Sequence, residues 1–217
     1  STAGRRVWIY SRTLARWIWK QMPGIPADGA VNGHILDSTN GLLRIWGAGD
    51  SVNASYTFNL NTRTFDYTSW FPLSGRDAAT VQVGGNVIGV EKLLSDYTDR
   101  NHYFVYNVAA NTATTGAWQY AGGLSSASFV SSAGPEGQSV AYIPSLDRYW
   151  IASPSLWWQL DPTTTPWTAS PLTFSGDTPY GPAVGSSHIY AKIMYVSSMN
   201  ALFAFMSGAD DVHMYKF

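Results

Sequence analysis

Ser155–Leu172, SLWWQLDPTTTPWTASPL, reads as an aromatic-rich strand ending at Leu160, a turn through Asp161-Pro162, and a second short strand marked by Trp167. Aromatic and β-branched residues favour the pleated, half-buried surface of a sheet, and Asp-Pro interrupts it. Variants of this unit recur as VWIYSRTLARWIW (7–19), SYTFNLNTRTFDYTSW (55–70) and HYFVYNVAANTATTGAW (102–118). The tryptophans at 17, 70, 118 and 167 stand 53, 48 and 49 residues apart, too regular a spacing for unrelated strands. Read as a helix, 7–19 would be a basic amphipathic segment suited to a membrane surface. Its β-branched and aromatic content and its three strand-like counterparts favour the strand.

Outward from that unit, each copy extends to four short strands. In 30–74 they are Val31–Leu36, Leu42–Trp46, Tyr56–Leu60 and Phe65–Trp70, with Asn40-Gly41 as a strong hairpin signal. The order returns in 75–122, with Gly84-Gly85-Asn86 as a turn and Thr115–Tyr120 as the last strand, and again in 138–174. Partial copies occupy 1–29 and 181–217. Repeats of about 40 to 50 residues holding four strands each are the mark of propeller blades, whose faces are buried by stacking neighbours. The expected fold is therefore all-β: a single domain, 1–217, forming a β-propeller of about five four-stranded blades. The strand count is 17, where five closed blades need 20 and four need 16. Either the N-terminal pair completes the last blade, or the ring is completed by another chain or a longer propeller.

LLRIWGAGDSVNASYTFNLNTRTFDYTSW (42–70) and NALFAFMSGADDVHMYKF (200–217) resemble kelch-type propellers: an apolar strand ending in glycines, a variable loop, an aromatic strand and a Trp after a short turn. The resemblance covers most of the chain. The double glycine is altered to Gly47-Ala48-Gly49 and Ser207-Gly208, and Gly84-Gly85 falls in another turn. Kelch-like propellers commonly present loops for binding or assembly. The galactose-oxidase branch needs a tyrosine linked to cysteine at its copper, and with no Cys that activity does not carry over. Sialidase-type Ser-x-Asp-x-Gly-x-x-Trp turns are not matched by 38–46.

A chain of 217 residues can bury a self-sufficient core, and the absence of Cys excludes disulfides and thiolate metal sites. Charged residues are 12 % and aromatics 15 %, so Ser, Thr, Asn, Gly and Tyr must build much of the surface, as in secreted or virion proteins. Net charge is −1, which gives no general pull toward nucleic acid. Arg5, Arg6, Arg12, Arg16 and Lys20 nevertheless precede the first acid, Asp28. No apolar run approaches the roughly 18 to 20 residues of a membrane-spanning helix, and a soluble chain on a virion, in the extracellular space or at a cell surface is expected.

The candidate chemistry is sparse. His34, His102, His188 and His213 fall in separate repeats without zinc-ligand spacing, so no metal and no cofactor is expected. Glu91, Asp96 and Asp99, and the pair Asp210-Asp211, lie in loops where a ligand could bind, without the alternation of a calcium loop. No Gly-x-Ser-x-Gly elbow is present, and no catalytic residue is assigned. Trp17, Trp70, Trp118 and Trp167 are expected to pack between blades. Trp46, Trp150 and Trp157 are candidate glycan platforms. Trp157 and Trp158 are adjacent, face opposite ways, and can both be buried only in a sheet covered on each side. The expected role is a non-catalytic structural or interaction module with protein partners in an assembly; the alternative is a lectin-like or carbohydrate-active propeller.

Overall fold

The computed structural model describes residues 5–22, 33–46, 55–66, 79–91, 102–123, 139–152, 157–174, 193–205 and 212–217. Among them the protein is all-β, with eighteen strands and two short 3₁₀ turns. No sheet closes on itself among the described residues. The chain divides into two compact units, Ser1–Ser74 and Gly75–Phe217.

In the first unit, β1 (Arg5–Ser11) and β2 (Arg16–Met22) pair as a two-stranded antiparallel sheet. β3 (Gly33–Asp37), β4 (Leu42–Trp46), β5 (Ser55–Asn59) and β6 (Thr64–Asp66) follow as a four-stranded meander. The β3–β4 turn is tied by Asp37, which accepts the Asn40 backbone N–H at 3.1 Å and its Nδ2 at 2.8 Å, with Arg44 at 3.9 Å. Burial pushes the Asp37 pKa up, but the Asn40 hydrogen bonds and the Arg44 charge outweigh it and hold the carboxyl below its ordinary value.

The second unit holds three sheets. The first is β7 (Ala79–Val83), β8 (Asn86–Glu91), β9 (His102–Asn107) and β10 (Thr112–Ala117) in sequence order. After β11 (Gln119–Tyr120) comes the meander β12 (Ser139–Ile143), β13 (Arg148–Ala152), β14 (Trp157–Asp161) and β15 (Thr168–Pro171). The last is β16 (Ile193–Val196), β17 (Ala201–Ala204) and β18 (His213–Lys216). β12 lies beside β7 on one side and β16 on the other, and the buried Ser139 Oγ accepts the Ile193 N–H at 3.3 Å.

One feature differs from the sequence reading. The expected strand 115–120 is broken at Trp118, and its end, β11, leaves its own sheet to pair in parallel with β15. Gln119 N–H donates to the Trp167 carbonyl at 2.8 Å, so the β12–β15 sheet carries a fifth strand. The last sheet of the second unit, β16–β18, has three strands among the described residues.

Six hairpins share one turn, four residues long, whose last residue is left-handed: Ala15, Gly41, Arg63, Asn111, Asp147 and Asn200, with φ between +46° and +66°. Asn, Asp and Gly tolerate that region best. In three of these turns the Tyr five residues earlier donates its hydroxyl to the Asn or Asp side chain: Tyr106 to Asn111 at 2.7 Å, Tyr142 to Asp147 at 2.8 Å, and Tyr195 to Asn200 at 2.7 Å.

Candidate interaction surfaces

The β12–β15 sheet has two buried faces, and strand alternation sorts its residues between them. Val140, Tyr149, Ile151, Trp158, Leu160 and Ala169 point to one side, where they join Ala79, Ile88, Val90 and Trp118. Ala141, Ile143, Trp150, Ala152 and Trp157 point to the other, against Ile193, Leu202 and Ala204. The adjacent pair Trp157 and Trp158 is accordingly 0 % and 1 % exposed. Three sheets thus stack in chain order, with the middle one covered on both sides.

Trp118 and Trp167 both serve the first of these interfaces. Trp118 is buried at the point where the chain leaves β10 for β11. Trp167, partly buried, is stacked between Tyr103 of β9, with ring centroids 3.8 Å apart and planes 3° apart, and Tyr149 of β13 at 5.6 Å and 12°. Gly116 makes room for this stack: a Cβ there would fall 2.5 Å from the Tyr103 ring.

Trp150 and Trp157, candidate glycan platforms in sequence, are core residues of the second interface. Trp150 meets Phe217 at 5.0 Å, and Trp157 meets Phe174 at 5.5 Å and Tyr215 at 5.9 Å. Buried indoles cannot stack on a sugar, so neither offers a platform. Trp46 is the last residue of β4. Trp70, Asp96, Asp99, Asp210 and Asp211 lie outside the described residues.

Trp17 departs from blade packing. It is 62 % exposed, pairs across the hairpin with Tyr10, and meets that ring edge-on at 5.4 Å. Trp8 pairs with Trp19 in the same register, and strand alternation puts Trp8, Tyr10, Trp17 and Trp19 on one face, all exposed. The tip carries exposed Leu14, whose N–H donates to Ser11 Oγ at 3.3 Å, between exposed Arg12 and Arg16.

A second apolar face lies on the last sheet. Ile193, Tyr195, Leu202 and Tyr215 turn toward the β12–β15 sheet. On the opposite side Met194, Phe203 and Met214 form a cross-strand row, with Met194 and Met214 54 % and 53 % exposed. Phe205 and Val212, at strand ends, are exposed as well.

Arg148 meets Asp161 at 2.8 Å, and Thr163 donates its N–H and hydroxyl to the same carboxylate at 2.9 and 2.6 Å. Burial would raise the Asp161 pKa, but the Thr163 hydrogen bonds and Arg148 hold it below the ordinary value. Its hydrogen bond to Asp147, with burial, raises the Tyr142 pKa, and burial, helped by Tyr142 and Asp147, pushes Tyr149 up to about 12. Among the described residues no three His, Asp or Glu side chains gather as a metal site, and no helix is long and apolar enough to cross a membrane.

The sequence reading placed the exposed aromatics elsewhere. Their signal was the alternation Trp8-x-Tyr10 and Trp17-x-Trp19 about a four-residue turn, which puts four rings on one side of a hairpin. No protein-family model matches the chain, and no curated protein shows significant similarity to it.

Proposed function

We propose that the chain is a non-catalytic module of the β-propeller type, kelch-like in its repeats, that serves as a structural or interaction part of an assembly such as a virion, a phage tail or another extracellular structure. The observation that carries this reading is the placement of large apolar side chains on two exposed sheet faces, Trp8-Tyr10-Trp17-Trp19 and Met194-Phe203-Met214. Contiguous exposed apolar faces of this kind mark interaction surfaces. The propeller reading draws support from the sequential stacking of sheets in the second unit, with the first strand of each, β7, β12 and β16, side by side.

A second reading, glycan binding, is favoured by the hairpin face, since exposed indoles and a phenol offer stacking surfaces for the C–H faces of sugars. A glycan array together with a panel of chromogenic glycosides and esters separates the two. The module reading expects no turnover and no saturable glycan binding. Saturable binding that is lost in Trp17→Ala and kept in Asp161→Asn would replace it with the lectin reading.

A further inference from the structure

Residues 7–19 have the composition of a membrane-surface segment, and the β1–β2 hairpin keeps that chemistry in strand form. We propose that the aromatic face of this hairpin, with the tip between Arg12 and Arg16, is a docking surface for an anionic phospholipid bilayer, on which it lies without crossing. The inference rests on the reading of this face as an interaction surface and names the surface it meets.

Strand alternation builds the face. Trp8 pairs with Trp19 and Tyr10 with Trp17, so two cross-strand rows of rings lie on one side, roughly 7 Å apart along the strands. All four rings are 49 % exposed or more, whereas Ile18, on the other side by the same alternation, is half-buried. Trp and Tyr settle at the boundary of headgroup and acyl chain because each has an apolar body and a polar tip. Beyond the Tyr10–Trp17 row the turn carries Leu14, 54 % exposed, between exposed Arg12 and Arg16. Leucine suits the acyl layer, and arginine keeps its guanidinium among the headgroups while its stem covers apolar surface.

Charge names the lipid. Arg5, Arg6, Arg12, Arg16 and Lys20 all precede the first acid, Asp28, so the hairpin sequence holds five cations and no acid on a chain whose net charge is −1. Clusters of this kind are drawn to a layer of anionic headgroups. A neutral glycan would leave all five without a role.

Area and ring geometry separate a bilayer from other partners. Four half-exposed aromatics offer on the order of 300–500 Å², about half of the roughly 800 Å² that each partner gives to a standard protein interface. A fluid lipid surface has no fixed shape to match, and buried apolar area and charge attraction add in binding to it. Single-stranded nucleic acid needs open ring faces on which bases stack. Tyr10 and Trp17 instead meet each other edge-on, 5.4 Å apart with planes at 63°.

The test uses the full chain with vesicles of phosphatidylcholine alone and of equimolar phosphatidylcholine and phosphatidylserine. Binding is read by co-sedimentation, and entry into the interface by quenching of tryptophan fluorescence with lipids brominated on the acyl chain. The wild-type chain is expected to sediment with the phosphatidylserine vesicles, to bind phosphatidylcholine about tenfold or more weakly, to be released as salt is raised, and to be quenched. Arg12→Ser with Arg16→Ser should weaken phosphatidylserine binding by on the order of ten- to thirtyfold, the effect of two surface cations. Trp8→Thr with Trp17→Thr should remove most of the binding and of the quenching. Both pairs stand at exposed positions, and circular dichroism matching wild type keeps lost binding from being read as misfolding.

A wild-type chain that sediments with neither vesicle, or with both equally, would overturn the lipid assignment without recourse to any variant and leave the interaction-module reading to the glycan and turnover assays. Phosphatidylserine binding kept by both paired variants would overturn the hairpin as its site. An oligothymidylate bound more tightly than the vesicles, and lost in both variants, would replace the bilayer with single-stranded nucleic acid.

Discussion

Trp157 and Trp158 are neighbours in one strand and belong to different cores: Trp158 is buried toward the β7–β10 sheet and Trp157 toward β16–β18. A strand with large side chains on both faces is stable only if both are covered, and this pair ties the middle sheet to its two neighbours.

Truncating either indole is expected to be severe. Trp157→Ala and Trp158→Ala should each destabilise the protein by about 3–5 kcal/mol, the usual cost of deleting a buried Trp. Trp17→Ala, at a position 62 % exposed, should fall within about 0.5 kcal/mol of wild type. Urea denaturation of the three variants checks the ordering.

Gly116 should accept no side chain. A Cβ would lie 2.5 Å from the Tyr103 ring, which is stacked on Trp167, so Gly116→Val must displace the ring that joins the two sheets. A loss of about 1–3 kcal/mol is expected, with a change in near-ultraviolet circular dichroism from the disturbed Tyr–Trp stack.

Asn200 combines a left-handed backbone, φ +46°, with two side-chain bonds: it accepts from Tyr195 Oη at 2.7 Å and donates through Nδ2 to the Phe217 carbonyl at 2.6 Å. Asn200→Gly keeps the backbone at ease and loses only the bonds, at about 1–2 kcal/mol. Asn200→Ala adds the cost of a left-handed Ala and should be worse by about 1 kcal/mol. Thermal melts of the two variants separate backbone from hydrogen bond.

Asp161, held by the two Thr163 hydrogen bonds and then by Arg148, sets an acid-side pH dependence. The folded-state pKa of Asp161 is lowered, so its contribution is complete above the unfolded-state value of about 3.9 and is lost as pH falls through the lower folded value. Asp161→Asn should cost about 1 kcal/mol at pH 6, discounted for the partial exposure of both groups, and the gap to wild type should begin to narrow only below about pH 4 and go on narrowing as pH falls further. Melting temperatures of both proteins from pH 7 to pH 3 give the comparison.

Much of the strand order was legible in the sequence. Leu42–Trp46, Ser139–Ile143 and Arg148–Ala152 are bounded in the chain by turn residues on at least one side and form strands over those same residues. Alternation puts Trp157 and Trp158 on opposite faces, but whether both faces are covered is not written in the strand, and the sequence makes a candidate platform of Trp157 where the structure buries it. The equivalence of the four spaced tryptophans was not legible. Trp118 and Trp167 share one interface, while Trp17 faces out. Equal spacing reports the length of a repeat but not the side to which a residue points, since a shift of one residue reverses the face. The break at Trp118, where β11 crosses to pair with β15, depends on a partner 49 residues away and leaves no local mark. The recurrent turn left a readable one, Tyr-x-x-x-x-Asn/Asp, at Tyr106, Tyr142 and Tyr195.

The stacking of three sheets in chain order is tested most directly by nuclear Overhauser contacts between two ring pairs, Tyr103 with Trp167 and Trp157 with Tyr215. The first pair spans β7–β10 and β12–β15 at 3.8 Å between centroids, and the second spans β12–β15 and β16–β18 at 5.9 Å. Cross-peaks for both pairs are predicted. Their absence, with each ring seeing only residues of its own sheet, would contradict the stack and the exposed terminal face that follows from it.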